Sequence, residues 1–157
     1  METIYLVGQI SIDEPITYTW RREIADALKG RGFSVLNPCD NEFNKEIEDT
    51  GDGTKEKANK LFGNEATNLI VPKDLHCVQQ STGCVVDMNH YDLSRPILGS
   101  FFELAWYYTM PEKFVVGVFD GNIKEDVHCN HPFVKATVHT WVEDHTIAVD
   151  LIEKYFR

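Results

Sequence analysis

"TIYLVGQISIDEPITYTWRREIADALKGRGFSVLNP" (residues 3–38) carries three signals in succession. Residues 3–8 form a short apolar run that ends at Gly8, the pattern of a buried strand. Over residues 16–29, Ile16, Trp20, Ile24, Ala27 and Leu28 recur at helical spacing, and Gly30 and Gly32 end the helix. "FSVLNP" (33–38) is a second apolar run, stopped by Pro38. Strand, helix and strand in this order make a β-α-β unit. Such a unit predicts a parallel sheet with a right-handed crossover.

The rest of the chain extends the alternation. "DNEFNKEIEDTGDGTKEKANKLFGN" (40–64) is polar, charged and interrupted by three glycines. It reads as a solvated mobile insertion, or alternatively as a lid over a site. A helix is expected from about Asp74, with Leu75 and Val78 facing inward. "GCVVDM" (83–88) is a third strand, and a helix is expected from Ser100. "KFVVGVF" (113–119) and "KATVHTWV" (135–142) are the fourth and fifth strands. Residues 143–156 close the chain as an amphipathic helix with Ile147, Leu151 and Tyr155 on one stripe. The pattern predicts a single α/β domain over 1–157. Its core is a doubly wound, mostly parallel five-stranded sheet flanked by helices, flavodoxin- or Rossmann-like.

Composition excludes several roles. The formal net charge is −10, with 15 Lys and Arg among 157 residues and no basic cluster. Grip on a nucleic-acid backbone is therefore not expected, because phosphate contacts need cations. No apolar run is long enough for a membrane span. "METIYLVGQI" has neither the basic start nor the cleavage site of a signal peptide, so a cytoplasmic protein is expected. Cys39, Cys77, Cys84 and Cys129 form no C-x-x-C pair and read as reduced, mostly buried thiols. His128, Cys129 and His131 crowd near His139 and His145, but their spacing matches no standard zinc motif. No metal or cofactor is expected.

Within "ILGSFFELAWYY" (97–108) a single carboxylate interrupts an apolar, aromatic run. Ser100 and Glu103 have the S-x-x-E spacing of a helix capping box, in which the serine caps the helix and the glutamate reaches back. The other reading is a reactive carboxylate at a helix start. Ligands of open parallel sheets bind outside the carboxyl ends of the strands. Those ends are Gly8-Gln9-Ile10, Asn37-Pro38, Asp87-Met88 and Phe119-Asp120. The helix carrying Glu103 starts at the same rim, so Gly8, Gln9, Ile10, Gly99 and Ser100 are candidate ligand contacts.

"TIYLVG", "DLHCVQQSTGCVVDM" and "LGSFFELAWYY", in that order, resemble the nucleoside 2-deoxyribosyltransferase superfamily across most of the chain. That family includes base-exchanging transferases and nucleoside monophosphate N-glycosidases. The resemblance implies that Glu103 is the nucleophile, that Asp74 serves the departing base, and that Tyr5 orients Glu103. Breaking an N-glycosidic bond builds positive charge at the anomeric carbon. A carboxylate beside that carbon can stabilise the charge or bond to it, and the leaving base needs a proton or hydrogen bond. The implied function is base exchange on 2′-deoxynucleosides through a glycosyl-glutamate. The alternatives are hydrolysis of (deoxy)nucleoside 5′-monophosphates and a non-catalytic nucleotide-binding module.

Three positions depart from the family pattern. Ile97 stands where relatives place a polar contact to the 5′ end. Gln9 and Ser11 stand where the glycosidases have Ser and Arg. The loop "NHYDLSRPIL" is also longer than usual. From it Asp92, Ser94 or Arg95 is expected to read the 5′ end. Asp92 would accept a 5′-hydroxyl; Arg95 would pair with a phosphate. The resemblance further implies a homo-oligomer in which a neighbouring subunit completes the pocket. "NHPFV" (130–134), through Asn130, is the segment expected to do so.

Overall fold

Apolar residues in the strands alternate between two faces, and this alternation builds the two halves of the core. The computed structural model describes residues 1–40 and 66–157; the expected insertion or lid falls almost wholly outside them. The elements in chain order are β1 (Thr3–Gly8), α1 (Ile16–Gly30), β2 (Ser34–Leu36), α2 (Ala66–Gln80), β3 (Gly83–Asp87), α3 (Leu98–Tyr108), β4 (Phe114–Val118), α4 (Pro132–Thr137), β5 (Thr140–Val142) and α5 (His145–Phe156). The sheet order is β2-β1-β3-β4-β5, and all four pairings are parallel. This is the expected doubly wound α/β fold. The chain leaves β1 for β2 on one side and returns to β3 on the other, so the crevice between β1 and β3 is the topological switch point.

In β1, Ile4 and Leu6 pack with Trp20, Ile24 and Leu28 of α1 and with Ala148, Val149 and Ile152 of α5. Tyr5 and Val7 face the other way, toward Val78 of α2 and Leu104 and Tyr107 of α3. β3 repeats the division, with Val85 on the first face and Cys84 and Val86 on the second. The period-two geometry of a strand thus delivers Tyr5 to the face that α3 covers. No helix among the described residues is long and apolar enough to cross a membrane.

Three expected elements are corrected. The fifth strand is only Thr140–Val142, because residues 132–137 form α4. Pro132 takes the first helical turn, where its missing N–H costs nothing, and the His131 side chain accepts from the Phe133 amide as N-cap. The alternation of "KATVHT" imitates a strand. It is overridden by that start signal and by burial of Val134 and Thr137 on one helix face. Second, α2 does not begin near Asp74 but runs from Ala66 through Pro72. Proline forfeits one backbone bond there; at an exposed position the helix continues past it. Val78 points inward as expected, whereas Leu75 is only half-buried. Third, the stripe of α5 is rotated by one residue. Asp144 caps the helix through the Ile147 amide, and Ala148, Val149 and Ile152 face the core. Ile147 and Tyr155 are outward-lying, although the Tyr155 ring still stacks on Phe114 at 3.8 Å.

At Gly83, β3 approaches β4 closely. A Cβ there would lie 2.6 Å from the Phe114 carbonyl oxygen, an atom fixed in the next strand. Gly83→Ala is expected to destabilise the fold by about 1–3 kcal/mol, the usual cost of overpacking. Urea unfolding should show a lower midpoint at unchanged slope. An unchanged midpoint would mean that the two strands separate at this point without cost.

Candidate active site

Tyr5 projects from the centre of β1, where pairing with both β2 and β3 holds its backbone. Its hydroxyl donates to Oε1 of Glu103 on α3 at 2.6 Å, and both residues are buried. The capping-box reading fails here. The N-cap of α3 is Ile97, no side chain caps the helix, and Ser100 lies inside it. A glutamate freed from capping is available for chemistry.

A pocket of about 230 Å³ opens over Glu103 at the switch point. From the end of β1 come Gly8, Gln9 and Ile10; from α2, Asp74; from the start of α3, Gly99 and Ser100. Pro38, Pro96 and Ile97 add apolar wall, and Arg95 is the basic side chain that borders it among the described residues. Sequence reasoning thus anticipates most of the lining. Pro96 it missed, since nothing marks a loop proline as a pocket wall before the loop's path is known.

Burial pushes the Glu103 carboxyl up to about 8; the Tyr5 hydrogen bond opposes this, the Asp74 charge adds to it, and the Arg21 charge opposes it. Asp74, half-buried, is raised in the same direction by burial, against the pull of Lys73, Tyr5 and Arg21. The Tyr5 hydroxyl is raised far beyond its ordinary value by burial and then by Glu103, so it remains a donor. The site therefore holds two carboxyls that give up protons reluctantly, joined by a phenol that does not give one up at all.

The longer loop after β3 behaves differently from expectation. Asp92 is buried, and its carboxylate is engaged by neighbouring side chains and backbone. It accepts from the Ser11 hydroxyl at 2.6 Å and from the Ser94 amide and hydroxyl at 3.0 and 2.5 Å. The Ser11 and Ser94 bonds hold its pKa below the usual carboxylate range. Asp92 and Ser94 do not border the pocket, and Arg95, 3.4 Å from Asp92, does. The physical reason is local: an Asp two residues before a Ser bonds its amide and closes a turn. Gln9 is similarly committed. Its amide donates to the carbonyls of Asp92 and Arg95 and accepts from the Asp92 amide. Asn130 is exposed, bonds Lys124 and Lys135, and does not border this chain's pocket. The neighbouring Phe133 is 80% exposed.

Among the described residues no three metal-ligating side chains converge. His145 bonds Asp87, His139 accepts from the Val115 amide, and His131 caps α4. All four cysteines are free thiols, three of them buried.

The fold is that of known 2-deoxyribosyltransferases. The 2-deoxyribosyltransferase of the psychrotolerant bacterium Bacillus psychrosaccharolyticus, a biocatalyst for nucleoside synthesis, superposes with a TM-score of 0.59 at 15% identity, over 94% of this chain and 90% of that one. The 2-deoxyribosyltransferase of Leishmania mexicana superposes with a TM-score of 0.50 at 15% identity, over 80% of this chain and 70% of that one. No protein-family model matches the sequence, and no curated protein matches it.

The raised carboxyl has a consequence for stability. Glu103 in the folded protein keeps its proton up to about 8, whereas unfolded it releases it near 4.5. Its contribution is therefore largest in acid and is lost as pH rises through that window. Glu103→Gln, which keeps an acceptor for Tyr5, is expected to remove this slope. Above pH 8 it should be more stable than wild type by about 1–3 kcal/mol, the scale of an uncompensated buried polar group. Urea unfolding of both proteins from pH 5 to 9 checks this; parallel curves would show that the carboxyl is not desolvated.

Proposed function

We propose that this protein is an enzyme that breaks and re-forms the N-glycosidic bond of 2′-deoxynucleosides through a glycosyl ester on Glu103. The observation that carries the reading is the buried Glu103 carboxyl, held 2.6 Å from the Tyr5 hydroxyl at the floor of a pocket that Asp74 also borders. The fold shared with two 2-deoxyribosyltransferases supports it.

The chemistry runs as two displacements. Ionised Glu103 adds to the anomeric carbon as the bond to the base nitrogen breaks, and Asp74 delivers a proton to that nitrogen. A second base then attacks the anomeric carbon, whose bond to the Glu103 oxygen breaks to free the carboxylate, and gives its proton to Asp74. Water in place of the second base gives hydrolysis. Tyr5, bonded to Oε1, holds the carboxyl at a fixed point with its other oxygen left for the anomeric carbon and, staying protonated, stabilises the carboxylate when it leaves. The pair needs one charge and one proton together. Its titration belongs to both groups rather than to either.

A second reading rests on Arg95. The basic side chain bordering the pocket and the engaged Asp92 favour a 5′-phosphate over a 5′-hydroxyl, which would make the protein a hydrolase of nucleoside monophosphates. We also infer a homo-oligomer. An apolar groove of about 560 Å³ lies between α3 and α4, with Phe101, Tyr108, Val127 and Phe133 along it, and Phe102 is exposed nearby. A second copy seated there would cover this strip. Sedimentation should give at least a dimer, and Phe133→Asp should shift it toward monomer.

Incubation with deoxynucleosides and their 5′-monophosphates, with and without a second free base, tests the function. Base exchange that is abolished in Glu103→Ala is the expected result; binding without turnover would leave only a nucleotide-binding module. Preference for monophosphates that collapses in Arg95→Ala but survives in Asp92→Ala would select the second reading. Asp74→Asn is expected to lower kcat by about 10²–10⁴-fold, the usual worth of one positioned acid. In wild type, kcat/KM should fall above pH 8 as the pair loses its last proton, and this limb should vanish in Asp74→Asn. A loss confined to KM would remove Asp74 from the chemistry.

A further inference from the structure

Arg21, on the second turn of α1, is fully buried. Buried arginines ordinarily answer a carboxylate. This one pairs with none among the described residues. Its guanidinium instead donates to three backbone carbonyls: Gly8 at 2.6 Å, Gln9 at 3.0 Å, and Thr17. It also lies 4.6 Å over the Trp20 ring. Gly8 and Gln9 are the end of β1, and both border the pocket. A Cβ at Gly8 would meet Arg21 Nη2 at 3.2 Å and Trp20 Cζ2 at 3.1 Å, so this turn and this guanidinium are built around each other.

The contacts continue beyond the turn. The Gln9 side chain, whose own carbonyl Arg21 holds, makes three bonds to the backbone of Asp92 and Arg95. Ser11 bonds the Asp92 carboxylate. One buried cation therefore supports two turns that both border the pocket.

We propose that Arg21 is a positioning residue of this pocket: its guanidinium locks the turn after β1, and through Gln9 the turn at 92–95, and it brings a fixed positive charge to the wall of the pocket that Glu103 and Asp74 also line. From the surrounding elements Tyr5 on β1 and Asp74 on α2 act on Glu103, and Cys77 on α2, Cys84 on β3 and Tyr107 on α3 are in turn raised by its charge. All of these are acids. Among the described residues Arg21 is the cation that acts on Glu103; on Asp74 it acts as well, after the stronger Lys73. Lysine cannot replace the forked geometry, only the charge. The role holds whichever ligand the pocket takes.

Two measurements that need no substrate test it. Side-chain 13C NMR of glutamate-labelled protein, assigned with Glu103→Gln, gives the Glu103 titration. Hydrogen exchange read by mass spectrometry gives the protection of segments 8–12 and 88–97. Arg21→Gln should leave Glu103 at least about threefold less ionised at a given pH, the effect of losing a nearby charge. It should also raise exchange in both segments by about tenfold or more, as expected when a local clamp opens. Arg21→Lys should keep the titration near that of wild type and still raise exchange in both segments. An unchanged Glu103 midpoint in folded Arg21→Gln would overturn the proposal. If Arg21→Gln does not fold, Arg21→Lys decides: wild-type protection in both turns overturns it. Faster exchange spread equally over β4 and α5 would mark a purely structural residue and overturn it too. Failure of base exchange with these results intact would count against the proposed reaction and leave Arg21's role standing.

Discussion

A carboxyl buried to 7% exposure must be answered from within the protein, and Glu103 is answered by one bond, from Tyr5. The surrounding geometry follows from that requirement. Tyr5 reaches α3 only because odd positions of β1 face that side. It is immobile only because β1 is an inner strand bonded on both edges. Glu103 meets it only because α3 starts at Leu98, which brings its second turn over β1. A slip of one residue in β1 would exchange Tyr5 for Ile4 or Leu6 and leave the carboxyl without a donor. The remaining oxygen of Glu103 has no protein donor among the described residues, which leaves it for a ligand.

The loops that complete the pocket wall are tied to the elements around them by side-chain hydrogen bonds. Asp87 at the end of β3 accepts from the Asn89 amide and side chain, the Tyr91 hydroxyl and His145. The start of the longer loop is thereby tied to α5. Its middle is tied to the turn after β1 by Gln9 and Ser11. At the amino end of the sheet, the Lys113 ammonium, also buried, donates to the carbonyls of Val78, Gln79 and Ser81 and so closes the end of the helix that carries Asp74. Buried polar groups of this kind are costly unless satisfied, and once satisfied they specify one arrangement. Placing the reacting groups on a strand and two helices, with their connections pinned, suits chemistry that tolerates little misplacement.

Much of this was legible in the sequence, and the division between what was and was not is physical. The β-α-β opening, the five strands and the position of Glu103 at the sheet's carboxyl rim follow from periodicity and topology, both local signals. What escaped depends on tertiary partners. "KAT" (135–137) opens a strand-like alternation and lies in a helix because Pro132 and His131 start one. Pro72 looks like a boundary and is carried within α2. Ser100 and Glu103 have capping spacing, but the helix begins two residues earlier, so the spacing is empty. Arg21 looks like the polar face of an amphipathic helix; only the path of the chain after Gly8 shows three carbonyls turned toward it. Asp92 looked like a substrate contact because nothing in a linear reading says that Ser11 will take its carboxylate.

The same burial has two opposite effects on the proposed reaction. Desolvation by the surrounding walls, Ile97 and the prolines among them, raises Glu103 and leaves only a minority ionised near neutral pH, which lowers the concentration of nucleophile. It also keeps water from the ester once that has formed. A glycosyl ester in an open polar pocket would be hydrolysed before a second base arrived; behind an apolar wall it persists long enough to be intercepted. In the proposed reaction Ile97, an apolar part of that wall, would move this balance toward exchange. Arg95 moves it the other way, because a half-exposed guanidinium carries its hydration to the rim. In the proposed reaction, the split between transfer and hydrolysis would then depend on the occupant of that rim. A ligand group that pairs with Arg95 displaces its water and seals the site, whereas a neutral one leaves the water in place.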